Sequence, residues 1–509
     1  PPPPPPPPTP RLLRRQRQMC IRDSYLSALE VTAPGPEADA LRGRAAEVLM
    51  SALARASTLY ANDAVLSLGS RIFELDLDLP PERRVAINEE MASAASALLR
   101  FDEAQGFAED AMALSRRLGD ESGVRRGAAL SALINLESLR TRYAIDLIEQ
   151  QLDGVDELTA DPELARLAGL LARALFLDGD YDGALVAAER ALLAAEELLL
   201  LPVIGEALVT KATIYGIQGR LVESRLLLES VIGLAKGENL TELALRAYLN
   251  LGAVIPEADL TGDPTVEAIE LGRSVGNLNF TLLALTNRAG YLMVQGQFDE
   301  AEAALRDPLW QSAAGAYHAV DLVLLGMNDA LQGHTAAAEE NLREGRAAFG
   351  DDVDAQRTIG RDANEAVVSA LIGRSSDAMS WAQRVLDDAE SVRWIEPLAR
   401  VLLSVGERHQ IEELAAASRT RRATIDLRQR AFVLAVVEVQ PGDAVGLAAA
   451  EALIADVAAD GLVVDEVGWT IGLARWLPQD NVDRARLMAR ARERIQETGL
   501  GGFARFLDG

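Results

Sequence analysis

The chain has 509 residues, of which 49% are hydrophobic, 25% charged and only 5% aromatic, and its formal net charge is −27. This apolar share can bury cores along most of the chain, but one compact core rarely exceeds about 250–300 residues, so we expect several domains or one extended repeat array. A surface this acidic repels phosphate backbones, which argues against nucleic-acid binding.

Residues 1–24 form a leader whose composition differs from the rest of the chain, with eight prolines followed by an arginine-rich stretch. The leader holds Cys20, the only cysteine, so an internal disulfide is excluded and a reducing cytoplasm is favoured. It lacks the apolar core of a secretory signal. No run of about 18 apolar residues predicts a transmembrane helix, so we expect no membrane association.

The end of the leader, QMCIRDS, can be encoded by CAG ATG TGT ATA AGA GAC AG plus one base. This string resembles a transposase adapter end used in preparing sequencing libraries. We therefore expect residues 1–24 to be disordered and foreign to the protein, and residues 25–36 to be a linker. On this interpretation the natural N-terminus is missing and the sequence is a gene fragment.

From residue 37 onward the chain repeats a short turn, a small residue and an apolar helical stripe. The clear segments are YANDAVLSL (60–68), RFDEAQGFAEDAMAL (100–114), RYAIDLIEQQL (142–152), GDYDGALVAAERALLAA (179–195), GRLVESRLLLESVIGLA (219–235), GDPTVEAIELG (262–272), GQFDEAEAAL (296–305), GHTAAAEENL (333–342) and GRSSDAMSWAQRVL (373–386). Weaker copies are GERHQIEELAAA (406–417), GDAVGLAAAEAL (442–453) and NVDRARLMARA (481–491). Each predicts the second helix of a helical hairpin, because its apolar residues share one helix face.

A small residue recurs at the position of the alanine in "DEA". The aligned positions are Ala64, Ala104, Asp146, Ala184, Ser224, Ala268, Ala301, Ala338 and Ala378, at steps of 40, 42, 38, 40, 44, 33, 37 and 40 residues. A small side chain here lets two helix backbones approach closely. The turn glycines are expected to supply the positive φ that ends each first helix: Gly179, Gly219, Gly296, Gly333 and Gly373.

One hairpin cannot cover its own apolar stripe, so neighbouring hairpins are expected to stack and share a continuous core. Sustained period-2 alternation is absent, which predicts essentially no sheet. We therefore expect an all-α fold, an α-solenoid of about eleven or twelve stacked helical hairpins. Its repeats cover residues 37–400, and degenerate repeats of the same solenoid cover 401–509.

The segments GDYDGALVAAERAL and GQFDEAEAAL, each behind an A-x-L or N-R-A-G-Y helix, resemble tetratricopeptide repeats. The strict period of that family is 34 residues, and most steps here are longer. The chain is thus similar to the long-helix variety found in the C-terminal arms of large bacterial signalling ATPases. The segment at 52–84 resembles the junction just after the nucleotide-binding module of such proteins, and the C-terminal tail ARARERIQETGLGGFARFLDG resembles the final repeat of the cyclase-linked kind. The resemblance implies a superhelix that binds protein or peptide ligands, and a role in signal transduction.

Residue patterns for catalysis or metal binding are weak. Neither of the two lysines, Lys211 and Lys236, lies in the G-x-x-x-x-G-K-[ST] context of a phosphate-binding loop. Ser274 is the centre of a formal G-x-S-x-G match, but it follows a predicted helix rather than a strand, so we expect a helix C-terminus with glycine caps. The three histidines lie in different repeats at no metal-binding spacing: His318, His334 and His409. We expect no cofactor and no enzyme activity in this chain.

The first helices of the hairpins are expected to line the inner groove. Asn250, Asn287 and Arg288 are polar residues of such helices, in YLNLG and LTNRAG, and are therefore candidates for groove contacts. Polar side chains that tie adjacent hairpins together remain the alternative for each. Two functions stay open: a cytoplasmic, non-catalytic scaffold for protein or peptide partners, or the sensor arm of an ATPase-containing cyclase or transcription regulator whose N-terminal domains are missing. The oligomeric state does not follow from the sequence.

Overall fold

The computed structural model describes residues 28, 35–75, 79–254, 263–312, 316–349, 355–387, 403, 408–420, 427–440 and 442–507. Across these ranges the chain forms α-helices and short 3₁₀ segments and no β-strand, which confirms the all-α prediction. The leader at 1–24 and nearly all of the linker at 25–36 lie outside the described residues.

Within the described ranges, the α-helices are joined mostly by short connections. They are α1 Pro36–Thr58, α2 Asn62–Glu74, α3 Pro81–Ala97, α4 Phe101–Leu118, α5 Glu121–Glu137, α6 Thr141–Leu152, α7 Pro162–Asp178, α8 Tyr181–Glu197, α9 Leu201–Ile217, α10 Leu221–Gly237, α11 Thr241–Val254, α12 Pro264–Ser274, α13 Leu278–Val294, α14 Phe298–Leu305, α15 Ala316–Gln332, α16 Thr335–Ala348, α17 Ala355–Leu371, α18 Ser375–Asp387, α19 Arg408–Thr420, α20 Leu427–Glu438, α21 Ala444–Ala459, α22 Val463–Trp476 and α23 Val482–Thr498. Three 3₁₀ segments are Leu158–Ala160, Pro308–Ser312 and Gly501–Phe506.

Most consecutive helices pack against each other, and several first helices also contact the next first helix along the chain. Contacts of the second kind join α7 to α9, α9 to α11, α11 to α13 and α15 to α17. This pattern is that of stacked hairpins and confirms the predicted solenoid. Within the described ranges, nine hairpins end at residue 387, and α19 to α23 continue the consecutive packing.

Residues with positive φ end the first helix of most hairpins. The five predicted turn glycines all have this conformation, with φ of 96° at Gly179, 77° at Gly219, 75° at Gly296, 86° at Gly333 and 89° at Gly373. Three other hairpin turns hold a larger residue with positive φ, namely Tyr60, Leu99 and Leu139, whereas Leu199 and Asn239 have positive φ in turns between hairpins. These L residues adopt the left-handed conformation at a cost of about 1–2 kcal/mol each, which the surrounding packing must offset.

The small position of the repeat is buried at the helix interface in the middle repeats. The side chains with no solvent exposure are Ala104, Ala184, Ser224, Ala301, Ala338 and Ala378, and Ala268 is 1% exposed. Each lies close to the first turn of a second helix. The close approach of two helices therefore explains why these residues are small.

Two positions in the predicted alignment of the repeats are wrong. Asp146 is exposed, whereas Ala144, a small residue two positions earlier in α6, has no solvent exposure. In α2, Ala64 is only half-buried, whereas the next residue, Val65, is 2% exposed. With Ala144 in place, the steps from residue 104 through 144 and 184 to 224 are a uniform 40 residues.

The chain divides into two compact units. Of the described residues, the first unit comprises those up to 134 with 275–277, and the second comprises the rest. In the first unit, α1 to α4 and most of α5 surround a core that contains Leu49, Ile72 and Met91. An ion pair of 2.7 Å between Arg126 Nε and Glu89 Oε1 joins α5 to α3.

In the second unit the stacked hairpins curve far enough for α7 to contact α17, five hairpins further along the chain. The C-terminal elements also pack back onto earlier helices, since α22 contacts α13 and the segment Gly501–Phe506 contacts α15 and α17. Within α22, Trp469 stacks on Phe432 with ring centroids 4.5 Å apart. The inner face of this unit is therefore closed upon itself between α7 and α17.

Candidate functional site

A cavity of about 250 Å³ lies on the inner face of the second unit. The first helices supply most of its wall: the C-terminal end of α5, then α7, α11, α13, α15 and α17. Two aromatic residues beyond these helices complete it, Trp310 in a 3₁₀ segment and Phe349 after α16. The cavity is thus built from residues spread over more than 200 positions of the chain.

Aromatic and aliphatic side chains form one part of the wall. The aromatic ones are Phe176, Phe280, Trp310 and Phe349. Trp310 is 6% exposed, and its indole Nε1 donates a hydrogen bond of 3.1 Å to the carbonyl oxygen of Ala304. This bond satisfies the indole N–H and leaves the ring as an apolar surface.

Arg246 of α11 is buried in the wall, with 5% exposure. Its guanidinium binds the carboxylate of Glu206, donates 3.1 Å to the Glu206 carbonyl and donates 2.6 Å to Thr210 Oγ1. The pKa of Arg246 is lowered to about 10, mainly by burial and also by the like charge of Arg173, while Glu206 opposes the shift. Arg246 therefore ties α11 to α9 and has its donors engaged.

Arg173 of α7 differs from the other arginines of the wall. It is half-buried, and among the residues that the structure describes it has no ion-pair or hydrogen-bond partner. Arg361, by contrast, donates 2.6 Å to the carboxylate of Asp362, and its guanidinium lies 4.6 Å from the ring centre of Phe349. The guanidinium of Arg173 is thus available to bind a ligand in the cavity.

The amides of the wall fall into two groups. Asn250 bridges two helices, since its Nδ2 donates 2.8 Å to the Arg246 carbonyl and its Oδ1 accepts 3.1 Å from Thr213 Oγ1. Asn287 of α13 and Asn364 of α17 have no hydrogen-bond partner within the described part of the chain. These two amides are available to a bound molecule.

The structure brings two of the three predicted groove residues to one place. Asn250 and Asn287 both line the cavity, and Arg288 does not. Arg288 instead binds the carboxylate of Asp263, the residue before α12, so it ties two neighbouring hairpins together. Contact of Asn250 or Asn287 with a ligand stays a prediction.

A carboxylate lies within electrostatic range of Arg173. Solvent reaches the Glu242 side chain in the first turn of α11, but the protein around it reduces its hydration and raises its pKa, with Glu137 and Glu206 adding to this effect. Arg166 and Arg173 oppose the rise. Glu242 therefore interacts with Arg173 through its charge, but the two side chains form no ion pair among those of the described residues.

The residues weighed for catalysis and metal binding lie elsewhere. Ser274 is the last residue of α12, and its Oγ donates 2.7 Å to the carbonyl of Leu271, so the G-x-S-x-G match is a helix C-terminus as predicted. His318 and His409 are exposed on separate helices, and His334 precedes α16 with its Nδ1 3.5 Å from Asp329 Oδ1. In the described ranges, His, Cys, Asp and Glu side chains nowhere form a group of three that could hold a metal ion.

Sequence reasoning missed Arg173, Trp310 and Phe349. Arg173 carries a usable signal, because it is a charged residue within the apolar first-helix segment LARLAGLLARALFL. Trp310 and Phe349 carry none, since both lie outside the α-helices that the periodicity marks. Their places in the wall depend on how distant hairpins meet.

No protein-family model matches the chain, and no curated protein matches it significantly. The resemblance to tetratricopeptide repeats therefore stays a prediction that rests on the repeat segments themselves. In the part of the chain that the structure describes, no helix combines the length and the apolarity needed to cross a membrane.

Proposed function

We propose that this chain is a non-catalytic, tetratricopeptide-like binding module that holds its ligand on the inner face of the first helices. The observation that carries the proposal is the cavity itself, in which an open arginine and two open amides lie beside a wall of aromatic side chains. Solenoids commonly use such a concave surface for recognition. A few convergent polar groups in an apolar pocket are typical of a binding site.

The leading ligand class for this module is a protein or peptide segment that inserts a side group into the cavity. A photo-reactive amino acid at Asn287 tests this proposal, with the same label at Glu229, an exposed residue of α10, as the matched control. We expect partner cross-links from position 287 that disappear when Ala253→Phe fills the cavity. Cross-links from position 229 alone would refute the inner face as the binding surface.

The alternative function is that of a sensor arm in a larger cytoplasmic signalling protein. The contact between α7 and α17 favours it, because a ligand in the cavity touches both helices and stabilises the curved form of the array. A ligand shifts such an equilibrium only by its difference in affinity for the two forms. Native mass spectrometry of the purified chain tests the idea, since a retained small molecule that is lost in the Ala253→Phe variant would support it.

A further inference from the structure

The charges of the cavity favour an anionic ligand. Arg173 and Arg246 are close enough for the charge of one to lower the pKa of the other. Glu206 offsets Arg246, and Glu137, the carboxylate that lines the cavity, has a partner of its own. Arg173, by contrast, has no ion-pair partner among the described residues, and the more distant charge of Glu242 acts on it. An anion bound beside Arg173 would offset the repulsion between the two guanidinium groups.

The polar groups beside Arg173 suit a carboxylate. A guanidinium presents parallel N–H donors that match the two oxygens of a carboxylate. Asn287 and Asn364 add amide donors from two other helices, α13 and α17. One open guanidinium balances a single negative charge, so a monocarboxylate fits better than a doubly charged phosphate ester.

The size and lining of the cavity limit the rest of the ligand. Its volume of about 250 Å³ is about that occupied by eight water molecules in the liquid. Phe176, Phe280 and Trp310 offer ring surfaces to an aromatic or branched aliphatic body. Because α7 contacts α17 across the inner face, an extended peptide cannot run along the groove past this point, and the cavity suits a small molecule or a single inserted side group.

We propose that the cavity binds a small organic monocarboxylate with an aromatic or branched aliphatic body, its carboxylate at Arg173 and its body against Phe176, Phe280 and Trp310. This inference rests on the proposed function, in that it takes the same cavity as the ligand site. The ligand we propose is a free acid, and when bound it links α7 to α13 and α17. Binding of the acid thereby stabilises the closed inner face.

Isothermal titration of the full chain with 3-phenylpropionate tests the proposal, and 3-phenylpropionamide serves as the neutral analogue of the same shape. We expect the acid to bind at least about tenfold more tightly than the amide, since hydrogen bonds to charged groups are among the strongest in proteins. Arg173→Gln should abolish this preference. Arg190→Gln, which removes an exposed arginine from α8, should leave it unchanged.

The stability of the variants separates a binding role from a structural one. Because Arg173 has no ion-pair or hydrogen-bond partner among the described residues and repels Arg246, Arg173→Gln should unfold at the same or a higher denaturant concentration than the wild type. A loss of stability together with the loss of binding would show that Arg173 supports the fold instead, and would overturn the assignment. Arg173→Lys, which keeps the charge, should retain part of the preference for the acid.

The remaining outcomes are equally decisive. Equal affinities for the acid and the amide would refute recognition of a carboxylate, and the cavity would then be a site for apolar ligands. Acid binding that survives both Arg173→Gln and Ala253→Phe would place the ligand elsewhere. If neither probe binds while the photo-reactive label at position 287 still captures a peptide, the small-acid inference fails and the proposed function stands. If the label also fails, both fail together.

Discussion

Asp321 of α15 is expected to make the stability of the second unit depend on pH. Its side chain is 4% exposed, and its Oδ1 has no hydrogen-bond partner within the described residues. Burial raises the pKa of this carboxyl to about 7, and the charge of Arg306 opposes the rise only in part. The folded protein therefore holds a proton at Asp321 that the unfolded chain releases at lower pH.

The sign and size of the effect follow from proton linkage. An acid whose pKa is raised on folding contributes most to stability below its unfolded pKa of 3.8, and that contribution is lost as the pH rises through 7. A shift of this size corresponds to about 4 kcal/mol in total, of which about 2–3 kcal/mol is lost between pH 5 and pH 8. Asp321→Asn removes the titration and keeps a neutral side chain of the same shape.

Urea unfolding followed by circular dichroism, at pH values from 5 to 8, measures the difference between Asp321→Asn and the wild type. We expect the variant to gain about 2–3 kcal/mol relative to the wild type across this range. Asp182→Asn, at an exposed residue of α8, is the control and should run parallel to the wild type. Parallel curves for Asp321→Asn as well would refute the reasoning, because they would show that Asp321 is already ionised in the folded protein.

Three further predictions test the repeat structure by urea unfolding. Ala144→Leu should lower the free energy of unfolding by about 1–3 kcal/mol, because Ala144 is fully buried. Asp146→Leu should change it by less than about 0.5 kcal/mol, because Asp146 is exposed. A larger effect at position 146 than at 144 would show that Asp146 is the interface position of α6 after all. Leu199→Gly should stabilise the chain by about 1 kcal/mol, because this leucine is 81% exposed and holds a φ of 56°; a loss of stability would show that its side chain makes useful contacts. Gly502→Ala should lower the free energy of unfolding by about 1–3 kcal/mol, because the added methyl group meets the backbone carbonyl of Ala330. Gly233→Ala, on the exposed face of α10, should raise it. Equal changes in the two variants would contradict the close packing of the C-terminal segment.

The hairpin architecture was predictable because it depends on local signals. An apolar stripe, a small residue and a turn glycine all lie within one hairpin, and Gly179 and Gly373 have the conformation expected of them. The alignment failed at α6 for the same reason. Leu139 holds the positive φ in that turn, so the sequence offers no glycine from which to count to Ala144.

The candidate site was predictable only where it coincides with a first helix. Asn250 and Asn287 were found because polar residues of first helices are expected on the inner face. Arg173 met the same criterion, but nothing in its own helix shows that it lacks a partner. That property depends on which carboxylates α9, α11 and α17 bring near it, and these contacts join residues far apart in the chain.

The cavity lies where the repeat departs from its own period. From Ala104 to Ser224 the buried small residue recurs every 40 residues, whereas the following steps are 44, 33 and 37 residues. Those irregular hairpins supply α11, α13 and α15 to the wall. In the shortest of them, α14 has only 8 residues, and the 3₁₀ segment that follows places Trp310 in the wall. Stacking of regular hairpins requires neither the irregular spacing, nor the short α14, nor the 3₁₀ segment. Natural sequences depart from their local rules mainly at functional sites, so the irregular spacing and the open groups of the cavity are independent arguments for the same binding surface.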